Sequence, residues 1–117
     1  MNNVLYHLCR HCVGIMDGWW PYPAWCIAEQ CGISISTARR RLRKLKADGY
    51  VDSVVCYRDP EDYGPLPYHG WTITPKAQET PEYKKAWEAE KKLCREVFGE
   101  HMFPDEWLEA LKDGKDD

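Results

Sequence analysis

Near the amino end, apolar residues recur at three- and four-residue steps: Leu5, Leu8, Cys9, Cys12, Ile15 and Met16. That spacing puts them on one helical face and predicts a first helix over Asn3–Met16, closed by Asp17 and Gly18. The connector WWPYP is too proline-rich for helix and predicts a short edge strand, after which Pro23 suits the opening of a second helix. AWCIAEQC, Ala24–Cys31, is that helix, with Ile27, Ala28 and Cys31 on its apolar side and Gly32 at its end. Ser34 stands where an N-cap belongs and Gly49 where a left-handed C-terminal residue belongs. Between them Ala38, Leu42 and Leu45 fall on one face of a third helix. The period then changes to two: YVDSVVCYR reads as a strand, DPEDYGPLPYHG as a turn-rich loop and WTIT as a second strand. A helix from Pro81 to about Phe98 and a short amphipathic one over Pro104–Lys112 follow.

The polar side of the third helix carries the chemistry. At about 100° per residue, Ser36, Arg40, Arg43 and Lys44 point away from its apolar stripe, and Arg39, Arg41 and Lys46 flank it. Arg39 to Lys46 holds six positive charges and no acidic residue, so salt bridges within the run do not account for it. A merely solvated basic face is the plain alternative. Against it stands the order of elements: helix, glycine-containing turn, basic helix, then strand, loop, strand, which is a helix-turn-helix followed by a wing. The expected fold is mainly α with a small β-wing, a winged helix-turn-helix over residues 1–80. Residues 81–117 then form a C-terminal helical extension for packing or dimerisation.

Charge changes the picture only when it is divided. The net charge is −3, yet residues 1–58 carry eight Lys/Arg against four Asp/Glu and residues 59–117 eight against fifteen. The basic half would meet phosphates and the acidic half face away. No stretch is apolar enough to span a membrane, and MNNVLYHLCRHC lacks the layout of a signal peptide, so a cytoplasmic protein is expected.

The segment IAEQCGISISTARRRLRKLKADGYV resembles the helix-turn-helix of winged-helix transcription regulators, closest in spacing to the GntR group. GWTITPKAQ resembles the last wing strand and exit of MarR- and PadR-type regulators. The resemblance spans about the first two-thirds of the chain and implies DNA binding by Ser36, Thr37, Arg39 and Arg40, with backbone contacts from the wing. Arg39 matches an arginine that GntR-type proteins use on DNA. The chain departs from that pattern at Arg41, where a small apolar residue is usual, and in the acidic wing loop with Asp59, Glu61 and Asp62. An effector-binding domain, usual after the GntR motif, is not expected.

Chemistry alone divides the roles. Arg40 and Arg43 suit bidentate contact with guanine, and Ser36 and Thr37, in the first turn, suit phosphate oxygens. Lys44 and Lys46 supply sequence-independent attraction, and Arg58 and Tyr57 at the wing entrance are candidate phosphate contacts. Double-stranded DNA is the expected partner, transcriptional repression the expected outcome, and neither a cofactor nor a catalytic role is expected.

Other readings compete. His7, Cys9, His11, Cys12, Cys26 and Cys31 crowd the first two helices and suit a thiol- or metal-responsive switch, but Cys9 and Cys12 lie on an apolar stripe and free cysteine is commonly buried. Trp19, Trp20, Tyr22 and Trp25 suit stacking on single strands; with six Trp and two Phe in the chain, packing is preferred, Trp20 facing Trp71 across the sheet. No phosphate loop, nucleophile elbow or metalloprotease motif occurs, which disfavours an enzyme. A protein–protein adaptor or phage accessory factor remains the non-enzymatic rival. The stripe Tyr83, Ala86, Trp87, Glu90, Leu93, Cys94, Val97 and Phe98 must be covered, by the first helix or by a second subunit in a homodimer.

Overall fold

Asn2 opens the first helix, its Oδ1 accepting the Leu5 N–H at 3.1 Å, and α1 runs Asn3–Cys12. The computed structural model describes residues 1–14, 21–57 and 67–98. α1 stops four residues short of the expected Met16: the Val13 N–H still reaches Cys9 O, but the Gly14 N–H reaches His11 O at 3.2 Å, a tightened turn that closes the helix. Ile15 to Trp20 lie outside the described residues, and with them the expected pairing of Trp20 with Trp71.

β1 (Tyr22–Pro23) leads directly into α2 (Ala24–Cys31), and α3 follows over Ile35–Ala47. β2 (Val51–Tyr57) and β3 (Pro67–Ile73) form the wing hairpin, and β3 is also the central strand of an antiparallel sheet ordered β1-β3-β2. The register runs from Val51 opposite Ile73 to Tyr57 opposite Pro67, and Tyr22 faces Trp71 from the other side. β3 therefore begins four residues before the expected Trp71. PYHG has the composition of a turn, but it pairs along its whole length with β2, Gly70 also faces β1, and proline is tolerated at a strand's first position. Gly70 sits where a side chain would run into Pro21, so the approach of β1 to β3 needs glycine there.

A 3₁₀ turn over Pro75–Glu79 leaves the sheet, and Thr80 caps α4 (Pro81–Phe98), its Oγ1 accepting the Tyr83 N–H at 3.2 Å. One core joins these elements: Leu5, Leu8 and Cys9 of α1 pack with Ile27, Leu42, Leu45, Val51 and Trp71, and with Tyr83, Ala86 and Trp87 of α4. The stripe of α4 is thus covered over its first part by its own chain. Leu93 and Val97, farther along, are 45% and 63% exposed. Pro104–Lys112, expected to form a last helix, lies outside the described residues.

Candidate nucleic-acid interface

α2 ends because Gly32 takes a left-handed conformation (φ 67°, ψ 35°), which reverses the chain while the Ile33 N–H returns to Ala28 O at 3.1 Å. Ile33 packs against the core, and Ser34 opens α3 by accepting the Thr37 N–H on its Oγ at 3.1 Å. Two helices joined by so short a turn meet at a fixed angle, fastened beneath by Ile27, Ala28, Ala38 and Leu42, all buried.

The outer face of α3 follows from that fastening. With Ala38, Leu42 and Leu45 turned inward, Ser36, Arg39, Arg40, Arg41, Arg43 and Lys44 are exposed. Among the described residues Arg39, Arg40, Arg43 and Lys44 have neither a hydrogen bond nor an ion pair from their side chains. Unpaired cations concentrated on one helical face suit a polyanion. Thr37 is different: half-buried, its Oγ1 accepts a hydrogen bond from Ser34 Oγ at 2.9 Å, so its hydroxyl already belongs to the cap of α3. Arg58 lies outside the described residues, as do Asp59, Glu61 and Asp62; nothing is described of the Tyr57 side chain.

Lys46, expected to supply sequence-independent attraction, has partners in the next element. Its Nζ donates to Ser53 Oγ at 2.9 Å and lies 3.8 Å from Asp52 Oδ1, which ties the last turn of α3 to β2 and directs the charge to the wing. Pattern reading along one helix has no access to that contact, since Ser53 and Asp52 belong to the next element. Ile35 was also missed as a surface residue. It opens α3, is exposed, and sits beside Ser36; its place directly after the N-cap was the available signal.

Among the aromatics, the expectation that tryptophan does the packing holds for Trp71 and Trp87, both buried, and not for Trp25, which is 58% exposed. Trp25 is the second residue of α2 and stands out to solvent, whereas Ala24, Ile27 and Ala28 are buried. Tyr22 is stacked on His11, centroids 3.9 Å apart, so it does not join Trp25 in an open platform.

Of the thiols, Cys9 and Cys94 are buried and Cys12, Cys26, Cys31 and Cys56 half-buried. None of the six cysteines is in a disulfide, and among the described residues no three His, Cys, Asp or Glu side chains converge as metal ligands do. Burial first, then the charges of Cys12 and Glu82, pushes the Cys9 thiol up to about 12. Burial also raises Cys26, Cys31 and Cys94, which favours the thiol over the thiolate that binds metal or attacks disulfides. His7 is lowered by its burial and by the Arg10 charge. No helix among the described residues is long and apolar enough to cross a membrane.

Residues 27–52 match the winged helix-turn-helix DNA-binding family. The match runs from mid-α2 through the Gly32 turn and α3 into β2, the segment whose geometry is set out above. No curated protein matches the chain. Among solved structures, a transcriptional regulator, Tm0710 from Thermotoga maritima, superposes with a TM-score of 0.49 at 18% identity, covering 97% of this chain and 73% of that one. Two variants of ZitR from Lactococcus lactis give TM-scores of 0.46 and 0.45 at 21% and 20% identity, covering 99% and 97% of this chain and 71% and 75% of theirs. The chain has a winged helix-turn-helix fold and carries the DNA-binding motif of that family.

Proposed function

We propose that this winged helix-turn-helix protein binds double-stranded DNA in a sequence-specific way through α3 and represses transcription by occupying its site. The observation that carries the reading is the set Arg39, Arg40, Arg43 and Lys44, exposed on the outer face of α3 and without acidic partners among the described residues. Arg40 and Arg43 read guanine edges in the major groove; Ser36, Thr37, Lys44 and Arg58 take phosphates and fix the register. Thr37 keeps its hydroxyl proton for a phosphate while its oxygen accepts from Ser34. Occupying an operator needs no contact with polymerase and no catalytic step.

The protein acts as a homodimer in the cytoplasm, joined through the distal part of α4, where Leu93 and Val97 are exposed. A twofold axis then places two α3 helices about one turn of DNA apart, and the operator is an inverted repeat with half-site centres about 10 bp apart. Fluorescence anisotropy of a labelled duplex, titrated at several salt concentrations, tests the reading. Affinity falls as salt rises, with a log–log slope of about −0.9 per phosphate contact, and the double variant Arg40→Ala/Arg43→Ala binds more weakly. A folded protein that binds no duplex even at low salt refutes it.

A further inference from the structure

Three successive carbonyls, from the C-cap of α3 at Asp48 to Tyr50 just before β2, receive donors from one short segment that follows β3. Lys76 Nζ donates to Asp48 O at 2.7 Å, Thr74 Oγ1 to Gly49 O at 2.5 Å, and the Thr74 N–H to Tyr50 O at 3.0 Å. The Lys76 ammonium also lies over the Tyr50 ring, 4.6 Å from its centroid. Helix ends leave carbonyls without partners and carry partial negative charge, so an ammonium donating there is favourably placed. The donating segment is itself held: Pro75 begins the 3₁₀ turn, whose Ala77 is fully buried in the core, and Thr80 Oγ1 donates to Ala77 O at 2.6 Å as it caps α4.

We infer that Thr74 and Lys76 are positioning residues that latch the carboxyl end of α3 to the body of the fold and set the angle at which its basic face meets DNA. The inference rests on the DNA-binding reading above. The two latches on α3 differ in kind. Lys46 joins the helix to β2, part of the wing, whereas Thr74 and Lys76 join it to the 3₁₀ turn and so to α4 and the core. With the second latch open, α3 keeps its cap at Ser34 and its buried stripe, but its far end follows the wing. The Lys76 charge is directed at a helix end, so it makes no phosphate contact.

The test uses the full chain with Lys76→Met, Lys76→Arg and Thr74→Val; Lys76 is exposed, so its variants leave the core packing intact. In the free protein, hydrogen exchange at the Gly49 and Tyr50 amides rises about fivefold in Lys76→Met and Thr74→Val, returns toward wild type in Lys76→Arg, and stays unchanged in α1 and α4. With a duplex enriched from a random pool by the wild-type protein, the ratio of specific to mixed-sequence affinity falls about fivefold in Lys76→Met while the salt slope stays constant. A slope shallower by about 0.9 makes Lys76 a phosphate contact and overturns the inference. So does a Lys76→Met variant indistinguishable from a DNA-binding wild type in both readouts. A wild-type chain that binds no duplex refutes the DNA-binding reading, and this inference with it.

Discussion

Arg10 Nη1 lies 2.8 Å from Glu90 Oε2, an ion pair that joins α1 to α4 across most of the sequence. The Glu90 side chain is 7% exposed and the Arg10 side chain 25%; the same Nη1 also donates to Ala86 O at 3.4 Å. Removing the cation takes away the charge that faces a buried carboxylate, and the weak Cys94 Sγ donor at Glu90 Oε1, 3.8 Å away, does not replace it. Arg10→Met is expected to cost about 3 kcal/mol in urea unfolding, and Glu90→Gln, which keeps an acceptor, about 1 kcal/mol. Equal losses in the two variants argue against this account of the pair.

Two glycines separate backbone strain from steric exclusion. Gly32 has φ 67° and open space where a Cβ would stand, so Gly32→Ala meets strain alone and costs about 1 kcal/mol. A Cβ at Gly70 collides with Pro21, and Gly70→Ala is expected to cost about 2–3 kcal/mol and to separate β1 from β3. Thermal or urea midpoints rank the two; the reverse order contradicts the Pro21 contact.

On DNA, Lys44 and Lys46 part company despite their near-identical sequence context. Lys44→Gln is expected to make the salt slope shallower by about 0.9, as loss of one phosphate contact does. Lys46→Gln changes it less, because that ammonium already faces Ser53 and Asp52. On the proposed base-reading roles, Arg40→Ala or Arg43→Ala is instead expected to relax base preference, by about 1–3 kcal/mol at one position each. Binding titrations at four or five salt concentrations distinguish these patterns.

Stability has a defined pH window. The folded state raises Cys9 from an ordinary 9.0 to about 12, so its contribution is complete below 9.0 and is lost as pH climbs from there toward 12. His7 moves the other way: lowered from 6.5, its contribution is present above that value and fades as pH falls through its folded pKa. Urea midpoints are expected to drop between pH 8 and pH 10.5, and to drop less in Cys9→Ala; an identical alkaline loss in that variant removes Cys9 from the explanation.

If α4 joins two copies as proposed, Leu93→Glu/Val97→Glu converts the protein to a monomer in sedimentation equilibrium without unfolding it, since both side chains are already exposed. Operator affinity then falls while contacts within a half-site persist. A wild-type monomer at micromolar concentration contradicts the proposed assembly.

The helix-turn-helix was legible residue by residue. Ser34 as cap, Gly32 as turn and Ala38, Leu42 and Leu45 as the buried stripe are local facts of spacing and backbone preference, and the structure places each as the pattern predicts. The wing was legible in kind but not in extent, because the start of β3 at Pro67 depends on β2 pairing with it. Trp25 was misplaced for a related reason: tryptophan's tendency to be buried holds on average, and only the seating of α2 decides which side of the helix faces water.

The sequence by itself determined where helices start and stop around Gly32, which side of α3 is basic, and that the charge there has no partner within its own helix. Those properties depend on neighbours within a few residues, and periodicity reports such neighbours. Tertiary structure alone decided that α4 covers α1, that Arg10 meets Glu90, that Lys46 turns to Ser53, and that Thr74 and Lys76 close on the end of α3. Each of these joins separate elements, and the choice among possible partners is made by packing and burial of the whole chain, which no local pattern encodes.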